Sequence, residues 1–378
     1  MIRQPRSRAI RLSRMVALVM GATAIGGVAV PALVAGKPTA GARGSGSAAL
    51  SLATLPVPRA TPSAPERHAI QLLMRAATAG RDRTYSGTQY IFSWSTAGAS
   101  SLVVDLQHVP GRGVLVRRAG ALGSTVLDAT GAGALDPRAL AVLERHYSVS
   151  VARQHGQCAG RRTQIVEARR RGESALAGSF WLDTQTGLLL RRELYDRTGR
   201  TVRAAAFVDL QLAVPRPWDA PRQGPWDALR QDASAHAGSP MQDDHIAALR
   251  RAGWAAPAAL AGGLELFDVR QRDGVLHLSY TDGLFAVSVF SQRGRLDSRS
   301  VKGWQQVEVD GIRAWTRPGL SQRVVWAGDG WVHTVVADAP DSLVSAAVTA
   351  FPASAGESFA DRVQRGLHRM RSWADPTR

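Results

Sequence analysis

Short apolar runs separated by turn residues dominate the chain from residue 63 onward. The plainest example is the segment 180–207, where three runs are joined at residues 183–187 and 196–199. Turns this short leave no room for crossover helices. The segment is therefore predicted to be a three-stranded antiparallel β-meander.

The rest of the first half continues the pattern, with strand-like runs at 84–95, 101–109, 113–118, 124–129, 147–152 and 162–169. Ser63 and Glu66 form a capping box that begins a helix ending near Gly80, and Pro137 opens a second helix over 136–145. With the meander closing at residue 212, about nine strands and two helices are expected. We predict a large antiparallel domain over 63–213, curved into a half-barrel or a sandwich, with helices covering one face.

Five prolines interrupt the segment 214–242, which is predicted to be an interdomain linker. Trp218 and Trp226 are expected to hold this linker against a neighbouring surface. A second domain is predicted over 243–378. It begins with a helix from Asp243 or Asp244, and a later helix starts near residues 338–340. Its strands are expected at 264–270, 275–280, 284–290, 305–309, 312–316, 323–327 and 331–337.

Four Asp-Gly pairs, at 273–274, 282–283, 310–311 and 329–330, predict hairpins in this second domain. The fold class expected for the whole chain is α+β. Residues 357–373 repeat apolar side chains every three or four positions and place Arg362 and Arg369 on other faces, which predicts an amphipathic basic helix. That helix either docks on its own domain, grips a partner, or leans on a membrane.

The N-terminus is typical of an exported protein. Five arginines and no acid lie within residues 1–14, and an apolar run follows from residue 15 to about residue 36. The run suits either a cleaved signal peptide or an uncleaved membrane anchor, because about twenty apolar residues span a bilayer. Residues 37–62 are predicted to be a flexible tether.

The formal net charge of +17 does not indicate a nucleic-acid-binding protein. Eight cations precede Glu66, the first acid, and the remaining excess is spread along the chain. A DNA-binding protein would concentrate that charge on one element. An acidic partner or an anionic lipid is a better match to this distribution.

The sequence contains few patterns that are typical of catalytic sites. The sequence has no nucleophile elbow or His-Glu-x-x-His motif, and His155 with Cys158 lacks the second pair that a zinc site needs. No enzyme activity, metal or cofactor is expected. Instead, aromatic and aliphatic side chains exceed what strand alternation requires. They either fill the core of the curved sheet or line an apolar groove, and the candidate groove residues are Tyr90, Phe92, Trp94, Trp181 and Leu189.

Two segments carry a resemblance to a known family. Residues 180–207 resemble the end of the large domain of the RseB/MucB family, and residues 280–290 resemble its small C-terminal domain. The Arg-rich composition is typical of an actinobacterial-type member. The resemblance implies a large domain similar to LolA-type lipoprotein carriers, followed by a small α+β domain. The candidate partner-binding residues are Trp254, Tyr280, Asp282, Phe285, Arg362 and Arg369.

The resemblance also implies a function outside the cytoplasmic membrane. The protein would bind the extracytoplasmic part of a membrane-spanning anti-sigma factor and protect it from proteolysis. A lipid or lipoprotein acyl chain that signals envelope stress would release it. The alternative is an exported carrier of lipids or lipoproteins with no sigma-factor role, although simple carriers lack a second domain.

Overall fold

Two open antiparallel sheets and four α-helices make up the described part of the chain, which confirms the predicted α+β class. The structure is a computed structural model and describes residues 62–111, 113–118, 125–127, 135–212, 239–240 and 243–352. The predicted export segment and C-terminal helix lie outside these residues, as do Trp218, Trp226, Arg362 and Arg369. Most of the predicted tether and of the proline-rich linker also lies outside them, except residue 62 and residues 239–240, which form a short strand.

The first sheet has nine strands in the order β4-β3-β2-β1-β9-β8-β7-β6-β5. Every neighbouring pair is antiparallel, and the predicted meander is confirmed as β7, β8 and β9. The strands are β1 (Tyr85–Ser95), β2 (Gly98–Val109), β3 (Gly113–Arg118), β4 (Thr125–Leu127), β5 (Tyr147–Cys158), β6 (Arg161–Arg170), β7 (Leu176–Asp183), β8 (Leu189–Tyr195) and β9 (Thr201–Leu212).

Helices α1 (Ala64–Asp82) and α2 (Pro137–His146) cover one face of this sheet. The Ser63 side chain accepts a hydrogen bond from the Glu66 amide, and Asp136 caps α2 in the same way. The apolar stripe of α1, which includes Leu73, is buried in one cluster with Phe180 and Leu194. We call this the inner face, and alternation along the strands places the intervening side chains on the outer face.

The second sheet follows the order β10-β12-β13-β14-β18-β17-β16-β15, with β11 paired to β12. This sheet is accompanied by two α-helices, α3 (Asp243–Arg251) and α4 (Asp341–Thr349), and by a short 3-10 helix (Ser298–Val301). Its strands are β10 (Ser239–Pro240), β11 (Ala259–Leu260), β12 (Leu264–Arg272), β13 (Val275–Thr281), β14 (Ala286–Arg293), β15 (Gln305–Val309), β16 (Ile312–Arg317), β17 (Gln322–Gly328) and β18 (Trp331–Ala337).

Three of the four Asp-Gly pairs form tight turns. Asp273, Asp310 and Asp329 have φ near +48°, and the glycine after each is also left-handed, as type I′ hairpin turns require. The pair at 282–283 joins a hairpin too, but Asp282 is not left-handed. Its side chain instead accepts hydrogen bonds from the amides of Leu284 and Phe285.

None of the helices in the described ranges is both long and apolar enough to cross a membrane. The predicted apolar run at residues 15–36 lies outside those ranges.

Candidate functional site

The two sheets share one hydrophobic core. A single cluster of buried side chains includes Leu143 and Phe180 from the first sheet and its helices, and Leu284, Phe285 and Leu343 from the second. Gly178 lies at this contact: an added Cβ there would lie 3.2 Å from the Leu194 side chain of the first sheet and 3.4 Å from the Leu284 side chain of the second. The sheets are therefore packed together and not merely tethered by the linker.

The turn at residues 281–285 carries a carboxylate into the first sheet. Asp282 is fully buried, and its Oδ2 accepts a hydrogen bond from the Tyr147 hydroxyl at 2.5 Å. The Arg170 guanidinium donates to the same Oδ2 at 3.3 Å and to the Tyr147 oxygen at 2.8 Å. Burial and the nearby carboxylate raise the pKa of Tyr147, so its hydroxyl remains a donor at neutral pH.

A second buried junction lies at the end of β18. Arg203, on the inner face of β9, donates to the Leu320 carbonyl and is 3.2 Å from Asp338 Oδ1. Arg192 is buried near both, and burial lowers its pKa to about 10. Burial also raises the pKa of Asp338, although the two arginines oppose this shift. Two guanidinium groups thus face one carboxylate between the sheets.

Other contacts between the sheets lie nearer to solvent. Arg145 and His146 both contact the carboxylate of Glu265, whose side chain is 35% exposed. Arg138 donates to the Phe267 carbonyl and places its guanidinium 4.4 Å from the Phe267 ring centroid. Ion pairs at this exposure contribute little to stability, so the buried junctions fix the geometry.

An apolar cleft of about 530 Å³ opens between the two sheets. From the first sheet it is lined by aromatic and aliphatic side chains that include Trp94, Leu176 and Val202, and from the second by Phe285 and Leu343. Helix α4 supplies one wall, and the Thr96 amide donates to Asp341 at the start of that helix. This size and lining suit an apolar ligand or an extended peptide segment.

Charged side chains surround the opening of the cleft. Arg197 lies 3.5 Å from Glu173, while Arg200 stacks on the Trp94 ring at 3.9 Å and lies 3.9 Å from Asp196. Arg170 also lines the cleft. The rim therefore offers guanidinium groups to an anionic ligand, each held by a neighbouring carboxylate in this structure.

The outer face of β1 continues from the cleft as a partly exposed aromatic stripe. Trp94, Phe92 and Tyr90 alternate along the strand, and we call these three residues the β1 stripe. Ala204 and Ala206 of β9 lie opposite Phe92 and Tyr90, so their short side chains leave the rings uncovered. Tyr90 is 41% exposed and pairs with Val103 of β2, which is also exposed.

The predicted groove residues are partly brought together. Tyr90, Phe92 and Trp94 share the β1 stripe, whereas Trp181 lies three strands away on the outer face beneath Arg191. Leu189 is half-buried and packs against the main core cluster. The groove assignment itself remains a prediction.

The predicted partner-binding residues within the described ranges lie elsewhere. Tyr280, Asp282 and Phe285 are buried, and Trp254 is half-buried with its ring 4.6 Å from Trp331. In this conformation Asp282 contacts the first sheet, so a partner would reach it only after the sheets separate. Arg170 and Arg200 line the cleft but have no local sequence signature, because arginines occur throughout the chain.

No group of three or more potential metal ligands is present within the described residues. Cys158 is a buried free thiol, and burial raises its pKa. His155 is exposed on β5 and pairs in register with Gln164. Within the described residues, the cleft between the sheets is therefore the candidate site.

This architecture defines a class of two-sheet α+β proteins with a cleft between the sheets. Residues 127–229, about a quarter of the chain, match the model of the MucB/RseB N-terminal domain. The matched segment includes strands β5 to β9 of the first sheet, so this part of the chain is similar to that domain. No protein of the curated set matches the chain.

Several solved structures are similar in fold. The Pseudomonas aeruginosa MucA/MucB complex matches at 20% identity and a TM-score of 0.39, covering 76% of this chain and 100% of that chain. A LolA superfamily protein from Nitrosomonas europaea matches at 9% identity and a TM-score of 0.18, covering 39% and 94%. LprF from Mycobacterium bovis matches at 12% identity and a TM-score of 0.24, covering 41% and 99%. These likenesses carry no argument about function.

Proposed function

We propose that this protein is an extracytoplasmic regulator that binds the exported region of a membrane-spanning anti-sigma factor and shields it from proteolysis. The observation that carries this proposal is the match of residues 127–229 to the MucB/RseB N-terminal domain. One similar structure is of MucB in complex with the periplasmic segment of MucA. The protein would act by binding and not by catalysis.

The cleft between the sheets is the proposed partner site. Its apolar walls suit one or two large apolar side chains of an extended segment, and its rim arginines suit flanking carboxylates. The net charge of +17 favours an acidic partner and raises the association rate at low salt.

A lipid or lipoprotein acyl chain is the proposed release signal. The β1 stripe leads out of the cleft and leaves exposed aromatic surface for an alkyl chain. A ligand of this kind shifts the equilibrium only by its differential affinity for the conformation that does not hold the partner.

Calorimetry with the exported region of a membrane-spanning anti-sigma factor from the same organism tests the proposal. Substituting Trp94→Ala should weaken binding by about 2 kcal/mol, the usual size for a buried tryptophan anchor. Met74→Ala is the matched control, because Met74 is exposed on α1, outside the cleft. No measurable affinity of the unsubstituted protein for that region would reject the regulator proposal.

Location is tested separately. A reporter enzyme active only outside the cytoplasm, fused after Pro62, should be active because five arginines precede the apolar run at residues 15–36. A reporter that works only in the cytoplasm would contradict the proposed site of action. Fractionation would then show whether the exported protein is released or remains anchored in the membrane.

The alternative function is that of a lipid or lipoprotein carrier with no sigma-factor role. The exposed β1 stripe favours it, because acyl-chain binding needs only the first sheet. Lipid binding without any affinity for the anti-sigma factor would support this carrier function.

A further inference from the structure

The turn that carries Asp282 is held in a socket on the first sheet. The socket consists of the Tyr147 hydroxyl, the Arg170 guanidinium and the backbone of Leu143. Gly283 makes the fit possible, since an added Cβ would lie 2.3 Å from the Leu143 nitrogen. Asp282 is therefore one of two carboxylates, with Asp338, that hold the second sheet against the first, and its side chain is fully buried.

Arg170 belongs to this socket and to the cleft at once. One of its terminal nitrogens donates to Asp282 and Tyr147, and the other donates to the Gly262 carbonyl at 3.2 Å. Its side chain is 18% exposed, whereas the Asp282 side chain is fully buried. A ligand in the cleft therefore reaches the Arg170 guanidinium without entering the core.

We propose that Asp282 is a latch that keeps the cleft closed, and that an anionic group of a cleft ligand opens it by taking Arg170 from Asp282. Once Arg170 pairs with the ligand, the Asp282 carboxylate retains only Tyr147 and the two turn amides. A buried carboxylate that loses its cation is strongly disfavoured. The turn then leaves the socket and the second sheet moves away from the first.

This latch deepens the proposed function by naming how the cleft is regulated. Its tests use no anti-sigma factor, so it fails or survives independently of the partner's identity.

The distance between the two sheets is the first measurement. In the full chain with Cys158→Ser, spin labels at Gln154→Cys and Asp310→Cys lie on exposed positions, one on each sheet. Adding Asp282→Asn should broaden and shift the distribution of distances between the two labels. The asparagine side chain still accepts hydrogen bonds from the turn amides, but it carries no negative charge to pair with Arg170. Glu265→Gln is the matched control, since it removes a half-exposed anion between the same sheets and should leave the distribution unchanged.

Tyr147→Phe is a milder variant that removes one hydroxyl, and it should broaden the distribution in the same direction. If neither latch variant alters the distances, or if Glu265→Gln alters them as much, the latch is wrong. A near-ultraviolet circular dichroism spectrum unchanged by these substitutions would show that the side chains are still packed, and so distinguishes opening of the cleft from loss of core packing.

The second measurement is the affinity of the cleft for an anionic probe that the freed Arg170 guanidinium would bind. Anilinonaphthalene sulfonate combines an apolar ring system with an anion and serves as the cleft probe. Asp282→Asn should bind it about fivefold more tightly, the effect of one partly solvated charge-assisted contact. The gain should vanish when Arg170→Gln is added and persist when Arg197→Gln is added, because Arg197 contacts Glu173 and not Asp282. A gain that survives without Arg170 would overturn the proposal.

Discussion

Two histidines buried in the second sheet make the fold sensitive to acid. Burial lowers the pKa of His277 and His333 to about 4, with Asp268 and Arg270 acting in opposite directions on His277. His277 stacks on Phe290 at 4.3 Å, and the Nδ1 atom of His333 lies 2.9 Å from the Ser291 hydroxyl. Both rings are therefore neutral in the folded chain, whereas an unfolded histidine titrates near pH 6.5.

Stability should fall as the pH falls from about 6.5 towards 4, because the unfolded chain then binds more protons than the folded chain. At pH 5 each histidine is expected to cost on the order of 2 kcal/mol relative to pH 7.5. Urea denaturation at the two pH values measures this difference. His277→Phe, which retains the stacking on Phe290, should reduce the pH dependence by about half; an unchanged dependence would mean that other groups cause it.

The lone cysteine offers a second test at this scale. Cys158 is buried, its sulfur lies 3.4 Å from the Leu190 carbonyl oxygen, and burial raises the pKa of its thiol. We expect the thiol to be unreactive towards a disulfide reagent at pH 7.5 and to react fully after denaturation. Rapid reaction in the folded protein would show that this part of the first sheet opens.

At the scale of elements, the pattern of apolar runs predicted the strands and their pairing well, and the turns less well. Helix α2 begins at Pro137, as its cap predicts, and α4 begins at Asp341, directly after the predicted start at residues 338–340. The Asp282–Gly283 pair joins a hairpin, as predicted, but through a longer turn than the other three Asp-Gly pairs. Its conformation depends on Leu143 and Tyr147, which are more than a hundred residues away in sequence.

The candidate site was predictable only in part, for the same physical reason. Strand alternation placed Tyr90, Phe92 and Trp94 on one face, since period-two patterns are local. The cleft depends on how two sheets pack, and its rim residue Arg170 has no local signature. A sequence pattern records which face is apolar, but not which surface of a distant element covers it.

Gly283 tests the packing of this turn. It has φ of +95°, and an added Cβ would lie 2.3 Å from the Leu143 nitrogen, so Gly283→Ala should destabilise the chain by about 3 kcal/mol. Gly274→Ala is the matched control, because Gly274 has φ of +77° with open space around it. The control should cost only about 1 kcal/mol. Chemical denaturation measures both, and equal losses would show that the Leu143 contact is not tight.

At the scale of the whole molecule, the shared core changes the relation between the two sheets. The proline-rich segment 214–242 is predicted to be an interdomain linker. Yet Leu143, Tyr147 and Phe180 are buried in a cluster to which Leu284 and Leu343 of the second sheet belong. Removing the second sheet would expose apolar surface of the first, deprive Arg203 of Asp338, and leave Arg170 with Glu173 but without Asp282.

A chain that ends before Gln242 should therefore fold with reduced stability. We expect a loss of about two or three kcal/mol, which lowers the melting temperature of a domain of this size by about 5 to 10 °C. It should retain acyl-chain binding on the β1 stripe and lose most affinity for the anti-sigma factor, because helix α4 and Phe285 form one wall of the cleft. Calorimetry with both chains decides this, after circular dichroism confirms that the shorter one is folded. Equal affinities for the anti-sigma factor would place its binding site on the first sheet alone, and would separate partner binding from the cleft.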